Sequence, residues 1–143
     1  MAKYLNTKCK VVVNNKDLSD HAFSIDTPDE RDEVDVSGFS ATGTREFLPG
    51  VRDASIVIGF LQDFGTGSVH ATLEPLYSGG SVFPIYVMPD MTAGTSATNP
   101  LYRGSASIYQ YNGLSGDLNA RGEVTATFRP ASGSSFSWGT TAP

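Results

Sequence analysis

The chain of 143 residues is 39% hydrophobic and 17% charged, a composition that fits one globular domain with a modest core. Its formal net charge of -5 argues against binding duplex DNA through phosphate contacts, because proteins that bind in this way are usually basic. The single cysteine, Cys9, excludes an intramolecular disulfide and a cysteine-based zinc site, and no apolar run predicts a signal peptide or a membrane span.

The first residues after the N-terminus predict short β-strands. Residues 11–13 are valines that end at the turn signal Asn14-Asn15, and residues 22–25 alternate between apolar and polar side chains. Cys9 shares the alternation of the valines, so we expect a buried and inert thiol. The pattern of short strands between turn residues is typical of a β-sandwich or a barrel.

The segment from Asp17 to Asp35 holds eight of the fifteen acidic residues, a density that is typical of solvated surface. Within it, residues 33–36 alternate cleanly between acidic side chains and valines. Because successive side chains of a strand point to opposite faces, we expect one face in the core and one toward water or a water-filled space. The core face would hold Val34 and Val36, and the wet face Glu33 and Asp35.

A long connection follows this strand, and we place it at residues 37–51. It is too long for a hairpin turn, and connections of that length in compact domains are usually functional. Its glycines make it flexible, its apolar side chains can anchor it on a partner, and the charged pair Arg45 and Glu46 can fix its alignment on that partner. The residues concerned are Gly38, Phe39, Gly43, Arg45, Glu46, Phe47, Leu48, Pro49 and Gly50.

Four further segments are predicted as strands. Residues 55–61 are almost continuously apolar, which suits a central strand. Residues 82–88 include Pro84, which lacks a backbone donor and predicts an edge strand or a bulge. Residues 105–111 and 124–128 both alternate and are expected to pair with each other across the connection between them.

One segment is predicted as a helix. Ser68 is a candidate N-cap, and Gly79 and Gly80 end the pattern. Pro75 falls where it removes an intrahelical hydrogen bond, so the helix is expected to be short or kinked. Its apolar stripe, which would face a sheet, consists of Val69, Leu73, Leu76 and Tyr77.

Catalytic and metal-binding patterns are missing from the sequence. His21 and His70 are isolated, so neither has a second metal ligand at a suitable spacing. Asp20 beside His21 is better explained as a turn than as an acid–base pair. Residues 65–68 lack the lysine of a phosphate-binding loop, and no nucleophile elbow is present. We therefore expect neither an enzyme nor a cofactor or metal site.

Taken in order, several segments resemble the tail tube (major tail) proteins of long-tailed bacteriophages, of the short single-domain type. The resemblance runs from about Lys10 to Arg129. The residues that carry it are 13–20 (VNNKDLSD), 32–36 (DEVDV) before a glycine-bearing connection, 49–53 (PGVRD), 62–64 (QDF) leading to 69–73 (VHATL), and 96–102 (SATNPLY).

The resemblance implies a mainly β, sandwich- or barrel-like tail tube fold with one short flanking helix and a long inter-strand loop. It divides the chain into an N-terminal arm (1–9), the β domain (10–130) and a flexible C-terminal tail (131–143). By position, the family's loop that bridges to the adjacent ring maps onto residues 37–51.

The function that the resemblance implies is a structural virion protein. Hexameric rings would stack into the hollow tail tube, which is assembled in the host cytoplasm and conducts genomic DNA into the host. The partners would be the chain itself, a tape measure protein and tail-end proteins, with no membrane and no specific DNA binding. We expect the lumen to be lined by Asp26, Glu33 and Asp35, because a like-charged wall lets DNA slide.

Two other functions stay open from the sequence. A tail terminator or head–tail joining protein would share the same fold. A carbohydrate- or receptor-binding β domain could use Trp138 and the tyrosines as stacking platforms, although Trp138 lies in a Ser/Gly-rich segment outside the strand patterns.

Overall fold

The computed structural model describes residues 3–39 and 43–143. In these residues the chain forms ten strands and one helix, which agrees with the predicted mainly β fold. The elements are β1 (Lys10–Val13), β2 (Lys16–Asp17), β3 (Ala22–Asp26), β4 (Asp29–Asp35), β5 (Phe47–Ala54), β6 (Ile56–Leu61), α1 (Val69–Ser78), β7 (Phe83–Met88), β8 (Leu101–Tyr111), β9 (Glu123–Pro130) and β10 (Ser137–Gly139).

Eight of these strands form one antiparallel sheet, with the order β2-β1-β7-β8-β9-β6-β3 and β10 paired to β8. The path of paired strands is open, so the sheet is not a closed barrel. Side chains from distant strands nevertheless meet in one buried cluster, for example Val11 of β1, Phe83 of β7 and Ile58 of β6. The sheet therefore curls around a single core.

Strand β7 shows how the alternation builds this core. Phe83, Ile85 and Val87 are buried, whereas Pro84 between them is exposed. The prediction that Pro84 marks an edge or a bulge is wrong, because β7 pairs regularly with β1 on one side and β8 on the other. The carbonyl of Pro84 accepts the N–H of Asn14 where β1 turns away. The backbone nitrogen of Pro84, which has no hydrogen to donate, therefore faces the residues just after β1, so no hydrogen bond between β1 and β7 is lost.

The predicted central strand and the predicted strand pair are confirmed. Strand β6 lies between β9 and β3, and all but two of its six side chains are buried. Strands β8 and β9 pair antiparallel. A register shift between Ile108 and Gln110 turns Tyr109 outward, which leaves it exposed on the surface.

Helix α1 packs one face against the sheet. Val69 and Leu73 are fully buried, but Tyr77, which was predicted to share their stripe, is exposed. The helix ends within one turn after Pro75, so it is short, as predicted. Gly79 caps it, and its N–H bonds the Pro75 carbonyl.

The segment after residue 130, predicted to be a flexible tail, is ordered against the body. Phe136 is fully buried and packs edge-on against Tyr102, with ring centroids 5.7 Å apart. Strand β10 then pairs with β8 through Ser137–Gly139, beyond the point where β9 stops pairing with β8. The Ser/Gly-rich composition concealed one aromatic residue that belongs to the core.

Strands β4 and β5 form a separate two-stranded sheet, which we call the arm (residues 29–39 and 43–54). At its base the Ser55 N–H bonds the Pro28 carbonyl. The described strands β4 and β5 pair only with each other, so the arm extends outside the main sheet.

Candidate assembly surfaces

Strand β5 takes up the last third of the predicted long loop. The structure corrects the loop boundary, because the residues from Phe47 onward are paired in β5 opposite β4. The sequence did not reveal this strand because Pro49 and Gly50 are typical of turns. In the structure Pro49 lies in β5, opposite Glu33 and beside a register shift. Of the predicted loop residues, Phe47, Leu48, Pro49 and Gly50 are in β5, whereas Gly38, Phe39, Gly43, Arg45 and Glu46 lie in the connection, in which 40–42 fall outside the described residues.

Two of the loop glycines have distinct structural roles. Gly43 has a φ of +63°, a conformation that glycine adopts without strain. Gly50 was predicted to add flexibility, but it instead allows a close approach at the register shift. A Cβ atom there would lie 3.1 Å from the Asp32 Cβ and 3.2 Å from Val34 Cγ2.

The valines of β4 are not in the core. The sequence predicts Val34 and Val36 to be buried, but they are 46% and 42% exposed. The reason is tertiary: among the described strands β4 pairs only with β5, and all seven of its residues are exposed. Val34 lies directly opposite Leu48, and Asp35 opposite Phe47, so both faces of the arm carry apolar side chains.

The acidic residues predicted to share one surface are separated. Glu33 and Asp35 are exposed on the arm, whereas Asp26 ends β3, opposite Val57 of the main sheet. Hydrogen bonds from Ser37 lower the pKa of Asp35 below its usual value.

Arg45 and Glu46, the charged pair predicted to set register, lie beside the Asp35 carboxylate. Arg45 donates to this carboxylate, with its Nη1 3.3 Å from Asp35 Oδ2. The Glu46 N–H donates to Ser37 Oγ at 2.8 Å. In the single chain, Arg45 and Glu46 thus hold the end of the arm together.

A hydrogen-bonded cluster anchors the base of the arm. Asp29 accepts from Arg52 through Nε at 2.7 Å and through Nη2, and from the Tyr102 hydroxyl at 3.1 Å. The pairing with Arg52 lowers the pKa of Asp29, and burial raises that of Tyr102. Trp138 packs against the Tyr102 ring, with centroids 4.9 Å apart. These residues are far apart in sequence, and no local pattern predicts the cluster.

A groove of about 480 Å³ lies between the N-terminal segment, β3, the end of β7 and β10. Sequence reasoning did not find it, because its walls come from four separated segments. Large apolar or aromatic side chains line it and are partly exposed, namely Tyr4, Phe23, Met91 and Trp138. Like the arm, this groove presents partly exposed apolar side chains, here set among polar ones such as Asn6, Ser24 and Thr27.

Cys9 forms part of the groove wall, which corrects its predicted burial. It is half-buried, precedes β1, and its Sγ lies 3.0 Å from the Tyr4 hydroxyl. The same hydroxyl donates to the Pro89 carbonyl at 3.0 Å. Burial and the contact with Cys9 raise the pKa of Tyr4 to about 12. Tyr4 thus fixes the N-terminal segment against the body.

No protein-family model matches the sequence, and no curated protein matches it. Solved structures do match. The SPP1 tail tube superimposes with a TM-score of 0.71 at 12% identity, over 98% of this chain and 81% of that one. This chain has the tail tube fold. The tail of an empty gene transfer agent particle with C6 symmetry matches at TM-score 0.62 and 22% identity, over 82% of both chains.

A third structure shares the tail tube fold. The sheath/tube terminator of an extracellular contractile injection system, PVC, in its extended state matches at TM-score 0.70 and 13% identity. The match covers 96% of this chain and 97% of that one. Tubes and a terminator therefore share the tail tube fold that this chain adopts.

Within the tail tube fold, the one serine–histidine–aspartate cluster found among the described residues has a structural arrangement. His21 Nε2 is 3.2 Å from Asp63 Oδ2 and 3.5 Å from Ser68 Oγ, and Ser68 Oγ donates to that same carboxylate oxygen at 2.7 Å. In a catalytic triad the histidine instead meets the serine and the carboxylate through its two different ring nitrogens. Ser68 occupies the N-cap position, as predicted, but its side chain bonds Asp63 and not the helix. The cluster holds the 63–68 turn onto β3.

The described residues contain no group of three or more metal-ligating side chains. No helix in the described part of the chain is long and apolar enough to cross a membrane.

Proposed function

We propose that this chain is a structural virion protein whose copies form stacked hexameric rings, the hollow tube of a phage-like tail. The observation that carries the proposal is the tail tube fold over nearly the whole chain, together with an arm whose apolar side chains no other part of the described chain covers. Such exposed apolar surface usually marks an interface. The role is structural rather than catalytic, with no cofactor.

Six-fold closure is supported by two observations. The gene transfer agent tail that shares the fold has C6 symmetry. In this chain, β2 and β3 are the two edges of an open sheet. Unpaired edge strands favour association, and a ring consumes two different edges without leaving either free.

We propose further that the arm bridges adjacent rings and that the tube conducts genomic DNA without binding it specifically. The other partners would be a tape measure protein and tail-end proteins. The protein would be assembled in the host cytoplasm and reside in the virion tail. Anchors for the bridge are Phe39, Phe47 and Leu48, which are all exposed.

The acidic residues remain candidates for the lumen wall, because repulsion keeps DNA centred and is screened only over a Debye length of about 8 Å. Since Asp26 is on the main sheet and Glu33 and Asp35 are on the arm, the two sites need separate variants. Asp26→Lys and the double variant Glu33→Lys/Asp35→Lys should assemble, and the one that faces the lumen should slow genome ejection. Normal ejection by both would reject a lumen role for these carboxylates.

A tail terminator is the second candidate, because the PVC terminator shares the fold at a TM-score of 0.70. Negative-stain microscopy and light scattering of the purified chain separate the possibilities. Tubes support the tube subunit, and single rings that never stack support the terminator. A particle that stays monomeric at high concentration would reject both and favour the carbohydrate- or receptor-binding alternative.

A further inference from the structure

Two apolar surfaces of the chain are open and complementary in character. The arm exposes side chains at its outer end, of which Phe39 is fully exposed and Phe47 and Leu48 are about half exposed. The groove exposes Tyr4 and Trp138 in its walls. A groove with exposed aromatic side chains and a projecting apolar end on the same chain are suited to a heterologous contact between copies.

The charges of the two surfaces are also complementary. Residues 29–54 hold seven acidic and three basic side chains, a net charge of -4. Residues 3–9, which supply one wall of the groove, hold two lysines and no acidic residue, a net charge of +2. Lys3, Lys8 and Asp90 line a smaller pocket that shares Tyr4 with the groove. Lys8 pairs with Asp90 at 3.4 Å, so Lys3 supplies the positive charge at the rim.

The arm of a given copy is held away from its own groove. The cluster of Asp29, Arg52 and Tyr102 fixes its base beside Trp138, at the groove wall. Strand β4 continues for seven residues from there, which places its end roughly 20 Å from the base. No residue of the arm lines the groove of its own chain.

We propose that the groove formed by the N-terminal segment, β3 and β10 receives the apolar end of the arm of a neighbouring copy. Phe39, Phe47 and Leu48 would pack among the groove's aromatic side chains, and Lys3 at its rim would face Glu46, which precedes Phe47 in the arm. Each copy gives one arm and offers one groove, so the contact propagates along the tube. The inference rests on the proposed tube function and names the receiving site.

The single cysteine of the chain allows a direct test, because Cys9 lies in the groove wall. Phe39→Cys, Phe47→Cys and Leu48→Cys each place a second thiol on the arm. Leu118→Cys is a matched control, since that side chain is highly exposed in the connection between β8 and β9. Each variant is assembled, imaged, treated with an oxidant or a short bismaleimide, and run on a denaturing gel without reductant.

We expect most of the monomer band of at least one arm variant to shift into a ladder of dimers and longer chains. The ladder should disappear when Cys9→Ser is added, and the control should stay monomeric. Normal tubes without a ladder from any arm variant, or an equal ladder from the control, would overturn the groove while leaving the tube function intact. If the unmodified chain forms no tubes, the proposed function fails first.

Charge reversal provides a second test that does not depend on cysteine variants assembling. Lys3→Glu should raise the protein concentration needed for tube formation roughly fivefold, as expected for loss of a favourable surface charge contact. Lys10→Glu, on β1 between β2 and β7 and outside the lining of both the groove and the smaller pocket, makes the same change in net charge and should have a smaller effect. Equal effects of the two variants would contradict the groove assignment.

Discussion

Replacing Phe136 with alanine should remove a large part of the stability of this chain. The side chain is fully buried, although it lies in a segment whose composition resembles a mobile tail. Phe→Ala in a core costs about 3 to 5 kcal/mol, because the transfer free energy is lost and a cavity remains. A domain of this kind is stable by roughly 5 to 15 kcal/mol, so the variant should melt roughly 10 °C lower.

Gly104 allows this packing to be tested as a pair. A Cβ atom at Gly104 would lie 2.5 Å from Phe136 Cδ1 and 3.0 Å from the Ser135 carbonyl oxygen. Gly104→Ala alone should therefore destabilise the chain by forcing the phenyl ring out of place. In the Phe136→Ala background the closest clash is absent, so the added cost of Gly104→Ala should be much smaller. The two changes are expected to be clearly non-additive.

Urea unfolding followed by circular dichroism measures these free energies, at concentrations where light scattering shows the monomer, since assembly would add its own stabilisation. Phe39→Ala is the matched control: its ring is fully exposed, and it should change the free energy of unfolding by no more than about 0.5 kcal/mol. A Phe136→Ala variant as stable as the control, or strictly additive behaviour with Gly104→Ala, would refute the docking of the C-terminal segment.

Three further predictions concern the arm and the carboxylates. Tyr102→Phe should cost about 1 kcal/mol in urea unfolding, because the hydroxyl that donates to Asp29 at 3.1 Å is lost while the ring contact with Trp138 stays; an unchanged unfolding midpoint would contradict the anchor cluster. The pKa values of Asp29, Asp63 and Asp90 are lowered, chiefly by hydrogen bonds from Arg52, Gly65 and Thr92 respectively. The stability that these carboxylates contribute is therefore present above the unfolded pKa of about 3.9, and it is lost as the pH falls through their folded pKa values. Unfolding measured from pH 6 to pH 3 should show this loss, and constant stability over that range would rule it out. Shortening the segment 40–47 should abolish stacking but leave the circular dichroism spectrum of a folded subunit; filaments of normal length from this variant would reject the bridging role of the arm.

Local pattern determined much of this fold from the sequence alone. Alternation predicted strands at 105–111 and 124–128 that pair with each other, and the apolar run at 55–61 predicted a central strand; the structure confirms both predictions. The helix was predicted by its apolar spacing, and its end by Gly79. These features depend on neighbours a few residues apart, so a sequence records them directly.

The tertiary structure alone decided which surface each strand faces and what lies beside it. Val34 and Val36 alternate like core residues, yet in the described part of the chain β4 pairs only with β5, so the same pattern produces an exposed arm. The sequence around Phe136 is typical of a mobile tail, and only the structure shows that its ring packs against Gly104, where a larger residue would clash with it. The groove likewise joins segments from both ends of the chain. Burial depends on what packs against a side chain, and the packing elements lie far away along the sequence.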